Sequence, residues 1–253
     1  MIALVRAVAA SLGRCELSFV DRVPIDVPRA QAQHTAYADV LQSLGCEIQW
    51  LARLPEQPDG VFVEDTAVVV PELAVITRPG AASRRGEVDS VAQVLARHMV
   101  VHRVRAPATL EGGDVLRIGR TLFVGASARS NAQGVAQLGE ALAPFGYSVR
   151  ALPMRDCLHL KSAVTFIPPD MALVNPAWVD PASLGLSRIV TVDPEEPFGA
   201  NTLTLAGVTL VSTAYPRTRE RLESQGVTTR SLDVGELHKA EAALTCLSVI
   251  LGE

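Results

Sequence analysis

Hydrophobic positions along this chain come in short, strand-length runs separated by stretches of helical spacing, and the two kinds of segment recur in one order. Residues 1–8 read as a buried strand and residues 12–27 as loop. Asp26, ahead of Val27 and Pro28, predicts a helix N-cap with proline in the first turn. Apolar or small residues then recur at Ala30, Tyr37, Val40, Leu41 and Leu44 until Gly45 stops the helix. A strand follows at 46–51. The order strand, strand, helix, strand then runs through 61–70, 73–77, 83–97 and 99–104, and again through 114–118, 121–125, 131–143 and 148–152. A less regular copy spans 159–167, 172–175, a short helix at 181–184, and 187–192. The last covers 202–205, 208–213, 216–225 and 228–232, before a helical turn within 237–244 and a closing strand at 246–251.

A unit that recurs about every 50 residues suggests a closed array in which each sheet needs its neighbours to bury its faces. The reading is one α/β domain over residues 1–253, five ββαβ units around a single axis with pseudo-fivefold symmetry. The competing architecture, an open doubly wound sheet, calls for a glycine-rich phosphate loop after the first strand. Ser11-Leu12-Gly13-Arg14 is not that loop. In a ring, corresponding strand ends converge on the axis, so chemistry-bearing residues are expected from different units.

Composition narrows the function. The chain has 48% hydrophobic residues, 20% charged residues and a net charge of −4, enough apolar material for a full core. Without a basic cluster larger than Arg84-Arg85 and the scattered Arg217, Arg219 and Arg221, a nucleic-acid partner is not expected. No run approaches the roughly 20 apolar residues of a membrane span, and the N-terminal apolar run is too short for a secretory signal, so a cytoplasmic location is expected. Cys15, Cys46, Cys157 and Cys246 lack C-x-x-C spacing and read as free thiols rather than a zinc site.

Leu110-Glu111-Gly112-Gly113-Asp114 is a turn that can aim a carboxylate inward from a strand end, since glycines tolerate positive φ and carry no side chain. Glu64 and Asp65 stand side by side in an apolar run. On a strand they point to opposite faces, so at least one is directed inward, where a carboxylate needs a cation or hydrogen bonds. Arg84 and Arg129 sit in loops at helix starts and could answer them, or bind a ligand carboxylate bidentately. Such a mixture suits a zwitterionic amino acid with a cationic side chain. His159, between leucines at a strand start, and Cys246, in an apolar strand, are each compatible with plain core packing. With a carboxylate they also make a nucleophilic constellation.

Several segments together resemble the dimethylarginine dimethylaminohydrolases, a family of the guanidine-modifying (pentein) superfamily that folds as a five-bladed α/β propeller. They are Pro58 to Asp65, Ile76 to Gly80 with Ser83-Arg84-Arg85, Leu110 to Leu116, Val124-Gly125 with Arg129 and Asn131, Leu158 to Ser162, and Leu244-Thr245-Cys246. The resemblance implies hydrolysis of Nω,Nω-dimethyl-L-arginine, and of Nω-methyl-L-arginine, to L-citrulline and dimethylamine or methylamine. It implies Cys246 as nucleophile through a thiouronium adduct, His159 as proton donor and later activator of water, and Glu111 as the group orienting His159. Asp65 would grip the guanidinium, with Glu64 in support. Arg84 and Arg129 would hold the substrate carboxylate, and Asp59 with the carbonyls near Leu17 and Ala240 the α-amino group. No metal or cofactor is called for, because the leaving group departs as an amine protonated through His159. A homodimer is compatible with the sequence, which does not itself set the oligomeric state.

Two departures matter. Arginine deiminases and amidinotransferases of the superfamily carry His-x-Asp, whereas this chain has His159-Leu160-Lys161, which favours N-methylated over free arginine. Where the family commonly has Asp-Gly before Leu-Thr-Cys, this chain has Glu241-Ala242. The acidic residues Asp59, Glu64, Asp65 and Glu111, if gathered round the pocket, should raise the pKa of Cys246, so that a bound guanidinium favours its thiolate. The alternatives are a hydrolase of arginine or another guanidine, and a non-catalytic binder of arginine-like ligands.

Overall fold

The computed structural model describes residues 1–252. In chain order the elements are β1 (Ile2–Val5), α1 (Val27–Ser43), β2 (Glu47–Trp50), β3 (Ala67–Val70), β4 (Leu73–Ile76), α2 (Val88–Leu95), β5 (Val101–Arg103), β6 (Val115–Ile118), β7 (Thr121–Gly125), α3 (Ala132–Leu142) and β8 (Ser148–Leu152). They continue with α4 (Leu160–Ala163), β9 (Val164–Ile167), β10 (Met171–Val174), β11 (Arg188–Thr191), β12 (Leu203–Leu205), β13 (Val208–Ser212), α5 (Pro216–Ser224), β14 (Thr229–Leu232), α6 (Gly235–His238) and β15 (Val249–Leu251).

Among the described residues these strands form five three-stranded sheets, each with one antiparallel and one parallel pairing. In four of the sheets the antiparallel pair is a tight hairpin; in all five the parallel partner returns through a helix or a short helical turn, as a parallel crossover must. The central strands show the result. Leu73–Ile76 and Met171–Val174 are buried at every position, because both neighbours and both faces are covered. The last strand closes the ring: β15 pairs antiparallel with β1, Ile2 opposite Leu251, so the first unit is built from both ends of the chain. The fold is the expected five-unit α/β propeller.

The first strand of each unit faces the axis. Val69, Arg117, Phe166, Thr204 and Ile250, one from each, line an axial cavity of about 580 Å³. Apolar residues gather in five clusters beneath the outer helices, one of them uniting Ala30, Tyr37 and Leu41 of α1 with Ala3 and Val5 of β1. Helix α1 starts where its sequence says: the Asp26 carboxylate accepts the Arg29 N–H, and Pro28 lies in the first turn.

At the site-bearing end of the axial strands the structure departs from the expected elements. The run 61–70 is strand only from Ala67; Val63–Thr66 is a 3-10 turn. His159 precedes the helical turn α4 rather than lying on a strand, and Cys246 lies in a 3-10 turn, Thr245–Leu247, with strand only from Val249. A helical turn points consecutive side chains about 100° to 120° apart instead of alternating them. Glu64 and Asp65 are therefore both buried, at 8% and 2% exposure, where strand alternation would send them to opposite faces.

Candidate active site

Each unit contributes the segment just before its axial strand. Asp65 comes from the turn before β3, Glu111 from the extended residue before the 3-10 turn Gly112–Asp114 and β6, and His159 from the residue capping α4 before β9. Asn201 comes from before β12 and Cys246 from before β15. The two glycines after Glu111 make this convergence possible, though not through positive φ, which neither adopts. A Cβ on Gly112 would lie 2.0 Å from the Glu64 carbonyl oxygen, and one on Gly113 would lie 2.6 Å from His159 Nδ1 and 2.7 Å from Asp65 Oδ1. Hydrogen in place of Cβ lets three turns meet.

His159 Nε2 meets Glu111 Oε2 at 2.7 Å, and Asp65 Oδ1 stands 3.8 Å from the same nitrogen. The second Glu111 oxygen accepts the Gly80 N–H at 3.0 Å and faces the Arg129 guanidinium at 3.6 Å. Asp65 accepts the Gly113 N–H at 2.9 Å and Arg84 Nη1 at 2.6 Å. Oxygen and nitrogen atoms of Asp65, Glu111 and His159 lie within 4.8 Å of one another, but these ties to Arg84 and backbone N–H groups occupy the set as an ion-pair cluster. Cys246, His159, Asp65, Asp59, Arg84, Arg129 and Ala240 border one cavity of about 20 Å³. That holds about one water.

Burial alone would keep His159 neutral, but Asp65, Glu111 and Asp114 outweigh it and raise its pKa to about 9. Burial likewise opposes ionisation of Asp65, yet His159, Arg84 and the Gly113 N–H bring it down to about 2. Glu111 is lowered too, its burial overcome chiefly by the His159 hydrogen bond. The Cys246 thiol is pushed well up, first by burial and then by Glu64 and Asp65; Asp59 and Glu111, also expected to contribute, are not leading causes. The resting pair is thus thiol and imidazolium. Asp59, raised to about 6 by burial against the pull of Arg84, accepts the Glu16 N–H.

Three expected ligand-binding residues sit differently from the expectation. Glu64 lies a layer below, facing the axial cavity, with its oxygens held by Lys161 Nζ at 2.5 Å and Thr245 Oγ1 at 2.7 Å. Arg84, 3% exposed, already donates to Asp65, to both Glu87 oxygens and to the Asp59 and Phe62 carbonyls. Leu17 packs on the apolar cluster of α1 and does not border the cavity. Sequence reasoning missed Asn201 and Glu87. Asn201 accepts the Thr245 N–H and donates to Thr245 Oγ1 and the Lys161 carbonyl, bracing the turn that holds Cys246 against the one that follows His159; no local motif marks it. Glu87 is Arg84's partner three residues on, a helical spacing legible once the turn there is known.

A five-unit α/β ring with a cysteine, a buried histidine–glutamate pair and paired acidic and arginine side chains at its axis is the architecture of a guanidine-modifying enzyme. A family profile described as "N,N dimethylarginine dimethylhydrolase, eukaryotic" matches residues 22–183. The dimethylarginine dimethylaminohydrolase of Streptomyces coelicolor is 42% identical over 253 residues, covering 99% of this chain and 97% of that protein. Among solved structures, a cysteine-to-serine mutant of the Pseudomonas aeruginosa enzyme complexed with citrulline superposes with a TM-score of 0.92 at 30% identity, covering 98% and 97% of the two chains. A dimethylarginine dimethylaminohydrolase histidine-to-glycine variant, as an adduct with S-methyl-L-thiocitrulline, also gives 0.92 at 31% identity, covering 98% of each. The chain belongs to the dimethylarginine dimethylaminohydrolase family.

Proposed function

We propose that this protein hydrolyses Nω,Nω-dimethyl-L-arginine, and Nω-methyl-L-arginine, to L-citrulline and the corresponding methylamine. The observation that carries the reading is the gathering of Cys246, His159, Asp65 and Arg129 around one cavity, with Glu111 hydrogen-bonded to His159. Asp65 binds the substrate guanidinium, whose positive charge beside Cys246 offsets the burial and carboxylates that hold the thiol protonated. The thiol proton leaves to solvent and the thiolate attacks the guanidinium carbon. As the bond to the methylated nitrogen breaks, imidazolium His159 protonates that nitrogen, leaving a cationic thiouronium on Cys246 and neutral His159. Water then gives a proton to His159 and attacks the same carbon. The C–S bond breaks as the new hydroxyl gives its proton to solvent, so that citrulline forms and the thiolate returns.

Glu111 orients His159 and stabilises its charged form, while Glu64, paired with Lys161, supports the floor of the site. For the substrate carboxylate, Arg129 makes the main contact, because the Arg84 guanidinium is committed to Glu87 and Asp65 and adds chiefly its charge. Asp59, with the Ala240 carbonyl, receives the α-amino group. No disulfide joins the cysteines among the described residues, in keeping with a reducing cytoplasmic setting. The His159-Leu160-Lys161 segment lacks the aspartate of the deiminases, and Lys161 Nζ turns away to Glu64 at 2.5 Å, which leaves room for N-methyl groups and supports methylated arginine over arginine. The test is citrulline release from dimethylarginine, monomethylarginine and arginine by the wild-type protein. Faster turnover of arginine would replace this reading with a deiminase, and binding without turnover would make the protein a ligand-binding propeller.

A further inference from the structure

Asp114 is fully buried, 0% exposed, and no lysine or arginine pairs with it among the described residues. An isolated buried carboxylate is costly, so its hydrogen bonds must both sustain it and explain its presence. Oδ2 accepts the Ser127 and Ser130 hydroxyls, each at 2.6 Å, and Oδ1 accepts the Leu160 N–H at 3.1 Å. Leu160 is the residue after His159. Ser127 and Ser130 bracket Arg129, and their oxygens carry the contact onward: Ser127 Oγ accepts the Arg129 and Ser130 N–H groups at 2.9 and 3.2 Å, and Ser130 Oγ accepts the Glu111 N–H at 3.1 Å.

We propose that Asp114 is a positioning residue for this reaction, joining the segments that carry His159, Glu111 and Arg129 into one unit. The proposal rests on the hydrolase reading above and adds to it the group that keeps the proton donor, its orienting carboxylate and the substrate-carboxylate arginine in register. Its chemistry requires an ionised acid. A hydroxyl has one proton to give, and each serine gives it to Asp114, which leaves the serine lone pairs for the backbone N–H groups. An amide in this place fails either way round. With its NH₂ towards the serines, two donors meet two hydroxyls that must themselves accept backbone N–H groups; with its oxygen there, the NH₂ faces the Leu160 N–H.

The negative charge also acts on His159. From the turns around it the ring meets Glu111 at 2.7 Å and Asp65 at 3.8 Å, with Cys246 across the cavity, Arg84 behind Asp65, Arg129 behind Glu111, and Cys157 donating to its carbonyl. Lys161, on the same element, turns away to Glu64. Asp114 adds a third carboxylate that touches neither the ring nor the cavity and raises the histidine further.

The test compares wild type with Asp114→Asn in two readouts. The first is NMR titration of His159 in a Cys246→Ser background, which needs no turnover. The second is kcat and KM against pH. Asp114→Asn is expected to lower the His159 pKa by about one unit. It should cut kcat about a hundredfold, as a misplacement near 1 Å does, with a raised KM. Ser127→Ala, which leaves the Leu160 bond intact, should raise KM with kcat largely kept and serves if Asp114→Asn does not fold. A wild-type His159 titration in Asp114→Asn, or a Ser127→Ala enzyme with unchanged KM, overturns the proposal. Absence of wild-type turnover on methylated arginines refutes the hydrolase reading instead, and the titration still decides whether Asp114 sets His159.

Discussion

Replacing Glu111 with glutamine tests the electrostatic core of the site while keeping its volume. Glu111 is 0% exposed, and its Oε2 lies 2.7 Å from His159 Nε2. The His159 pKa of about 9 stands some 2.5 units above the ordinary value, and at about 1.4 kcal/mol per unit the folded protein favours imidazolium by about 3 kcal/mol. A charge-assisted hydrogen bond contributes roughly 1.5–3 kcal/mol and a neutral one about 1, so Glu111→Gln should remove about 0.5–2 kcal/mol and bring His159 to about pH 8. Because the folded-state pKa is raised, this stabilisation is complete below about pH 6.5 and is lost as pH rises towards 9 in the wild type, but towards 8 in the variant. The assays are the alkaline limb of kcat against pH and urea unfolding at pH 6 and pH 10. Both the limb and the loss of stability should move to lower pH by about one unit. A limb unmoved in Glu111→Gln would show that His159 does not owe its charge to this carboxylate.

Alkylation of Cys246 should be half-maximal well above the roughly pH 8.5 of a free thiol, and a non-reactive guanidinium ligand should lower that midpoint; a resting midpoint well below pH 8.5 that the ligand leaves unmoved contradicts the substrate-assisted step. Gly113→Ala sets a methyl group 2.6 Å from the His159 ring and should cut kcat about a hundredfold while the protein stays folded by circular dichroism; near-wild-type kcat would mean the turns have room to spare. Glu241 holds the Ser18 and Phe19 N–H groups at 2.6 and 2.5 Å, closing the segment that carries Glu16 over a cavity too small for substrate. In Glu241→Ala that segment should be nicked faster by limited proteolysis; unchanged cleavage would mean the two bonds do not hold it.

The ring was legible because its evidence is local and repeated. Asp26, Pro28 and Gly45 delimit α1, and the recurrent strand pairs with their following helices count out the units. The site was legible mainly through resemblance, since its contacts cross the chain. Glu64 meets Lys161 97 positions on and Thr245 181 positions on, and no spacing rule links them. The turns holding Glu64, His159 and Cys246 were hidden for a physical reason. Val63, Leu160 and Leu247 are apolar because they are buried, and a short apolar run looks alike whether its backbone is a strand or one helical turn. Glu241 shows the limit of reading a departure from sequence alone: it adopts φ 55°, accepting the strain that a glycine or asparagine would avoid, and its longer side chain reaches two backbone N–H groups of the covering segment.

The central claim is that Cys246 carries the reacting carbon between the two halves of the reaction. The most direct measurement is acid quenching of the wild-type protein during turnover of Nω,Nω-dimethyl-L-arginine, followed by mass spectrometry of the peptide that contains Cys246. The account predicts a covalent adduct on Cys246 that forms with dimethylamine release and decays with citrulline, and none in Cys246→Ser. Undiminished citrulline release by Cys246→Ser, or an adduct on another residue, would contradict it.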